Sequence, residues 1–373
     1  MNNNTELFLT NFNKNFTGVS STAANVLLEQ EKKYKLKLVG YNLPGGPKPI
    51  SNLKAYSLAK KKPSTKPFSI WHVRRNSEMR AAIIARDILG LPIKIVFTSA
   101  AQRRHSLFPR WLISKMDIVI ATTDRAASFV PNVGAIIPHG VNTNIFKPGS
   151  NNQKYWQDTG FPGAMGVATI GRIRKEKGTD LFIDTMIKIL PAKKYLTALI
   201  IGKAATEDRY FLEFLKSKVK KAGLKDRIIF TGEISPEKLP SLVRSLSLLV
   251  SLPRYEGFGM TLLEGLASGV PFVASKTGYF EEFSNGGRCG KIVPISNVKL
   301  AVKEVQNFMQ RHKCLPGITG WAQVNGLRGP TYEEGQMNKR FQHDLYYIKN
   351  WNLMLDIYIL IRTVFVVLFQ RVD

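Results

Sequence analysis

Glu256 and Glu264 stand with seven residues between them in the segment RYEGFGMTLLEGLASGVPFVAS, which spans 254–275. Residues 248–252 are an apolar run of strand length. Residues 253–259 read as a loop carrying Gly257 and Gly259, and 260–268 have helical spacing closed by Gly269, before a second apolar strand at 271–274. A helix that opens directly after a glycine-bearing loop offers free N–H groups and its positive dipole end to an anion. Glycine lets a phosphate approach the backbone there. The flanking carboxylates can accept hydrogen bonds from hydroxyls. Amides for phosphates and acids for hydroxyls together suit a nucleotide joined to a sugar.

A second group lies upstream in GRIRKEKG, 171–178, directly after an apolar run. Arg172 and Lys177 are five positions apart on the turn into the next helix. Both can face a diphosphate and neutralise charge that develops on a leaving group. A solvated basic turn is the alternative for this cluster taken alone. Both groups fall at the carboxyl edge of one expected sheet, the edge where open α/β sheets bind ligands.

Two alternating series of strands and helices must position these groups. The first has expected strands at 6–10, 35–40, 68–73, 93–98, 117–121 and 135–137. Its expected helices run from Ser20 or Ser21 to about position 31, over 77–89, near 109–115 and from Asp124. Residues 44–67, rich in Pro, Gly, Ser and Lys, read as a surface loop. Gly18, between the first strand and first helix, has the position a nucleotide fold often gives to glycine, and ordinary turns use glycine too. The second series has strands at 166–170, 196–201 and 228–231 and helices at 179–190, 208–222 and from Pro236, after a linker at 138–150. Such alternation predicts α/β architecture with parallel, doubly wound sheets, two in tandem with a cleft between them. Residues that follow first-series strands become candidates for a second ligand: His72, Arg74 and Arg75, then Arg103, Arg104 and His105. A histidine can donate to a sugar or accept a proton near neutral pH. A structural histidine is the alternative at 72 and 105, and His139 in the linker reads as structural.

The chain of 373 residues is too long for one typical core. With 44% hydrophobic and 22% charged residues it belongs among globular proteins. Cys289 and Cys314 are too few for a disulfide framework, so a reducing compartment is expected. The first residues, MNNNTELFLTNF, lack the basic and apolar regions of a secretory signal. The formal charge of +27 calls for an anionic partner: nucleic acid, anionic lipid or a phosphorylated substrate. A merely lysine-rich surface is the bland alternative. No nucleic-acid-binding module is recognisable, so nucleic acid is not expected.

The segments GRIRKEKG, RYEGFGMTLLEGLASGVPFVAS and HGVNTNIFKP resemble the retaining GT-B glycosyltransferases of family 4. WHVRRNSEM and FTSAAQRRHSLFPRWLI further resemble the lipopolysaccharide core mannosyltransferases within that family. The resemblance covers about residues 5–295 and implies two Rossmann-like domains facing a cleft. It implies a metal-independent hexosyltransferase with a nucleotide sugar, GDP-mannose, as donor and no cofactor. Gly171, Arg172 and Lys177 would hold the donor pyrophosphate. Gly257, Phe258, Gly259, Met260 and Thr261 would cap it, Glu264 would hold the ribose, and Glu256 would face the donor sugar. Glu256, Arg172, Lys177 and His105 would form the catalytic group. Gly18, His72, Arg74, Arg75, Arg103 and Arg104 would face an anionic glycolipid acceptor.

The tail has another resemblance. PGITGWAQVNG, 316–326, is similar to the C-terminal end of bacterial sugar transferases that load a sugar phosphate onto polyprenyl phosphate. The acidic catalytic pair and Pro-Arg-Pro loop of that family are absent from this sequence, so transfer of a sugar phosphate to undecaprenyl phosphate is the alternative function and an inactive fusion remnant a third. The tail stands where the first family usually has a helix crossing back to its N-terminal domain. Residues 353–369 could form a helix about as long as a membrane is thick, with Asp356, Arg362 and Thr363 inside it and Tyr346, Tyr347 and Trp351 before it. Intramembrane charges are expensive, so a helix lying on an anionic membrane surface is expected over one that spans. The domains are then 1–138 for the acceptor, 139–300 for the nucleotide sugar and 301–373 for the tail, in a cytoplasmic protein peripheral to the inner membrane.

Overall fold

The computed structural model describes residues 5–15, 17–64, 66–311 and 321–327, and in the tail 339, 342–343, 346–347 and 350–369. These form two units: the first comprises residues up to Asn144 together with Glu256–Met260, and the second begins at Ile145.

In the first unit, strands β1 (Leu7–Asn11), β2 (Leu36–Gly40), β3 (Ser69–Val73), β4 (Ile93–Ser99), β5 (Ile118–Ala121) and β6 (Val133–Ile136) form one parallel sheet. The order is β2-β1-β3-β4-β5-β6, so the winding reverses between β1 and β3. Successive side chains of a strand point to opposite faces, and both faces here are covered. Phe8, Val39 and Trp71 enter one core with Ile95 and Leu112. Leu7, Leu9 and Leu38 enter the other with Ala23 and Leu27 of helix Gly18–Glu31. That helix is capped by Thr17, whose side chain accepts from the Ser20 amide, so neither Ser20 nor Ser21 is the cap. Ser20 is instead buried, and its hydroxyl serves the Arg75 guanidinium. A second correction concerns 44–67. The helix Asn52–Ala59 lies within this stretch, capped by Ser51, and buries Ala55 and Ala59 one turn apart. The Pro- and Gly-rich stretch before it and the lysine run 60–62 after it hid that short apolar stripe.

In the second unit, β7 (Met165–Ile170), β8 (Leu196–Ile201), β9 (Ile228–Gly232), β10 (Leu248–Ser251), β11 (Phe272–Ser275) and β12 (Gly290–Val293) form a parallel sheet ordered β12-β11-β10-β7-β8-β9. The winding reverses between β7 and β10, which pair at Leu248–Val167 and Leu249–Ala168. Alternate residues again feed two cores. Val167, Ile200, Val250 and Val273 pack with Phe182 and Met186 of helix Thr179–Ile189. Ala168, Leu199, Leu249 and Phe272 pack with Trp156, Leu242 and Leu262. The helix Val298–Arg311 joins the first of these cores through Ala301, Val305 and Met309, all fully buried.

In the tail, helix Leu353–Phe369 is formed as expected. Asp356 accepts from the Tyr347 hydroxyl at 2.6 Å and the Trp351 indole at 3.0 Å, and Arg362 donates to Asn325 at 3.3 Å. The charges within this apolar helix are thereby partnered. Leu353, Met354, Leu360, Ile361 and Phe365 are exposed. Among the described residues no helix is long and apolar enough to cross a membrane.

Candidate functional site

In the second unit, the carboxyl ends of β7 and β10 lie side by side at the point where the winding reverses, and each leads into a glycine-bearing loop. After β7, Gly171 adopts φ +149° and its amide donates to Ile201 at 2.9 Å. Arg172 follows on the surface and Ile173 is buried. A single 3₁₀ turn, Lys175–Lys177, ends at Gly178, which holds φ +68°. A Cβ on Gly178 would lie 1.8 Å from the Leu252 carbonyl oxygen, so the turn is pressed against the end of β10 where only glycine fits. Gly178→Ala is therefore expected to destabilise the protein by about 2–4 kcal/mol, the range of strained backbone with a steric clash, measured by denaturant unfolding.

Arg254 ties this turn to the second loop. Its amide donates to the Glu176 carbonyl at 2.8 Å, and its guanidinium donates to the Lys175 carbonyl and to both oxygens of Asp180, at 2.9 and 2.7 Å. Partial burial alone would push Asp180 up, but the Arg254 guanidinium holds its carboxyl below the usual range. A bidentate, charge-assisted pair fixes both orientation and distance. The sequence reading missed Arg254 and Asp180 as positioning residues. They are 74 positions apart, and neither has a signature without the fold.

Beyond Arg254, the Glu256 carboxylate accepts from the Gly257 amide at 3.0 Å. Phe258 is buried, Gly259 takes φ +109°, and the helix Met260–Ala267 begins. Gly265 lets this helix lie close on β10, since a Cβ there would meet the Leu249 side chain at 2.2 Å. Glu264, on the same helix, is 7% exposed, and burial pushes its carboxyl up to about 7. A half-protonated buried acid at neutral pH is unusual, and functional sites are where such shifts collect. The fold therefore places Gly171, Arg172, Lys177, Thr261 and Glu264 on the loops and helix that leave two adjacent strands, with Glu256 to Met260 as the connecting loop. Among the described residues no cluster of acids, histidines and cysteines could hold a metal ion.

The first-unit candidates separate into different environments. His72 is buried within β3, its Nε2 2.7 Å from the Thr98 hydroxyl, and burial together with Arg74 holds it neutral, well below the usual histidine range. Arg75 is fully engaged, donating to Asn11 at 2.9 Å, Glu78 at 2.8 Å, Thr17 at 3.3 Å and Ser20 at 2.9 Å. Arg74 is 8% exposed and its Nε and Nη1 have no partner among the described residues. Gly18 opens its helix on the surface with open space where a Cβ would stand. Arg103 and Arg104 are exposed, and His105 is half-buried and shifted down by burial and by Arg103. His139 is pushed down to about 4 by burial and by Arg74, its ring edge-on to Phe258 at 5.0 Å. The helix expected near 109–115 is Leu107–Ser114, and what the sequence reading did not note is that it exposes Leu107, Phe108 and Trp111 close in sequence to Arg103, Arg104 and Arg110.

Residues 161–314 match the family described as glycosyl transferases group 1, and residues 291–370 match the family described as bacterial sugar transferase. The chain is similar to the lipopolysaccharide core biosynthesis mannosyltransferase LpsB of Rhizobium meliloti, 38% identical over 328 residues, covering 86% of this chain and 91% of that one. Its tail is 55% identical over 69 residues to a UDP-glucose:undecaprenyl-phosphate glucose-1-phosphate transferase of Xanthomonas campestris, covering 18% of this chain and 14% of that protein. Among solved structures, Anabaena HepE in complex with UDP-glucose superposes with a TM-score of 0.70 at 14% identity, covering 92% of this chain and 94% of HepE, a likeness of fold. With two doubly wound sheets and a relative of this closeness, the chain belongs to the group 1 glycosyl transferases, of GT-B fold, and carries a bacterial sugar transferase segment at its end.

Proposed function

We propose that this chain is a retaining mannosyltransferase that moves mannose from GDP-mannose to an anionic glycolipid of the lipopolysaccharide core. The observation that carries the reading is the pairing of the Arg172–Lys177 turn with the buried Glu264 at the ends of β7 and β10. The name of the R. meliloti relative supports mannose and the core acceptor. In this reading the Phe258 to Thr261 amides meet the diphosphate at the opening of helix Met260–Ala267. Arg172 and Lys177 take up its negative charge as the bond to the sugar breaks, so no metal is required for that role. Glu264 accepts from the ribose hydroxyls. Glu256, its carboxylate steadied by the Gly257 amide, faces the mannose. His105 stands as the proton-handling candidate on the acceptor side, with Gly18, His72, Arg74, Arg75, Arg103 and Arg104.

Attachment to the inner face of an anionic membrane fits the charge of +27 and two apolar exposures, Leu107, Phe108 and Trp111 in one and the helix Leu353–Phe369 in the other. Calorimetric titration tests the donor assignment. GDP-mannose should bind the full chain in EDTA, and weaken on Arg172→Ala with little change in the protein's melting temperature. Equal binding by wild type and variant would remove Arg172 from the donor site.

A further inference from the structure

Two adjacent arginines end β3, and the fold gives them opposite tasks. Arg75 donates to four side chains, as set out above, and Glu78 organises the rest. One Glu78 oxygen accepts from the Arg74 amide at 2.7 Å and the Thr10 hydroxyl at 3.0 Å; the other accepts from the Phe12 amide at 3.1 Å and from Arg75. Glu78 is fully buried and its charge is answered by Arg75 and by backbone. The Arg74 guanidinium feels the Glu78 charge but shares in none of these hydrogen bonds. It is more than nine-tenths buried, Nε and Nη1 are unpartnered among the described residues, and burial pushes it down to about 10. A buried, hydrogen-bond-poor cation is costly unless something completes it.

The neighbouring strands repeat the pattern. Ser99 closes β4 and Thr122 follows β5, with the Thr122 amide donating to the Ser99 carbonyl at 3.0 Å. Both side chains are buried, and both hydroxyls lack a partner among the described residues. Three successive strands of the first sheet, β3, β4 and β5, thus end at the same edge on buried polar groups with unmet hydrogen-bonding capacity. That edge is where such sheets bind ligands, and unpaired buried donors are what a ligand would satisfy.

We infer that Arg74, with Ser99 and Thr122 at the same sheet edge, forms a built oxyanion site that selects acceptors carrying a carboxylate or phosphate, while Arg75 is a positioning residue held by Glu78. The inference rests on the acceptor assignment above and sharpens it to one residue and one functional group. Guanidinium planes match carboxylate and phosphate oxygens with two parallel hydrogen bonds, and a lysine cannot reproduce that fork.

The test uses the full chain in an Arg172→Ala background, which weakens phosphate binding on the donor side, so that the Arg74-dependent part of the response is read by difference. Sodium phosphate, and separately sodium acetate, replaces chloride at constant ionic strength while thermal unfolding is followed. Either anion should raise the melting temperature of the Arg172→Ala protein more than that of the Arg172→Ala/Arg74→Gln protein, with Arg74→Lys giving a reduced shift. A second readout needs no variant at Arg74. His139, held down by burial and by Arg74, should show its ring-proton midpoint move up when phosphate binds and offsets the Arg74 charge. No response to either anion, or an equal response after Arg74→Gln, overturns the site. GDP binding by the otherwise wild-type chain is measured in parallel, so a failed anion response with intact GDP binding sinks this inference alone.

Discussion

Arg172→Ala should lower the rate of donor turnover by about 10²–10³-fold, the usual cost of removing one preorganised group from a site of developing negative charge. The residue is exposed and forms no ion pair among the described residues, and the shape of its loop is set by Gly178, Arg254 and Asp180 instead. Loss of rate should therefore come without loss of fold, and the melting temperature should stay within a degree or two of wild type. Lys177→Ala should act in the same direction. The two changes combined should cost less than the product of their single effects, because in the proposed site both act on one diphosphate. A rate unchanged by either would mean that the basic turn does not meet the leaving group.

Glu264→Gln should separate stability from binding. Burial raises the folded-state value from 4.5 to about 7, so the free protein holds the carboxyl protonated at low pH. A raised acid lowers stability as pH climbs from the unfolded value to the folded one, and the deficit is complete above about 7. At 1.36 kcal/mol per pH unit, the deficit approaches about 3 kcal/mol at pH 8 as an upper bound. The glutamine variant should accordingly be more stable than wild type at pH 8 and equal to it near pH 4, by denaturant unfolding at both values. In the proposed site ribose hydroxyls would donate to the ionised carboxylate, so nucleotide would have to draw the proton away. Affinity of the wild-type protein for GDP-mannose, whose diphosphate does not titrate in this range, should fall about tenfold between pH 8 and pH 6, and that dependence should vanish in the variant. A steep pH dependence surviving in Glu264→Gln would place the titrating group elsewhere.

Much of this fold is readable before folding because parallel strands covered on both faces are written as nearly continuous apolar runs, such as 196–201, interrupted at Thr197, and 248–252, interrupted at Ser251. The loops after β7 and β10 were legible for a related reason: their glycines stand out beside basic and acidic residues, and the fold sets both loops at the ends of adjacent strands. What stayed hidden depends on partners distant in sequence. Arg254 looks like one more cation beside the glycine loop until Asp180 meets it. Arg74 and Arg75 are indistinguishable in the sequence, and only the buried Glu78 shows which one is spent on structure. The pKa of Glu264 likewise follows from close packing over β10, which Gly265 permits and no local pattern announces. The helix Asn52–Ala59 escaped notice because its buried stripe is two alanines in a stretch otherwise dominated by loop-forming residues.

The central claim is tested most directly by incubating the purified full chain with GDP-mannose in EDTA and following release of GDP, with a lipopolysaccharide core glycolipid as acceptor. GDP should be released, with mannose appearing on the glycolipid in the anomeric configuration it had in the donor, and both should drop at least a hundredfold in Arg172→Ala. Turnover of UDP-glucose in preference to GDP-mannose, or equal rates for the wild type and the variant, would contradict it.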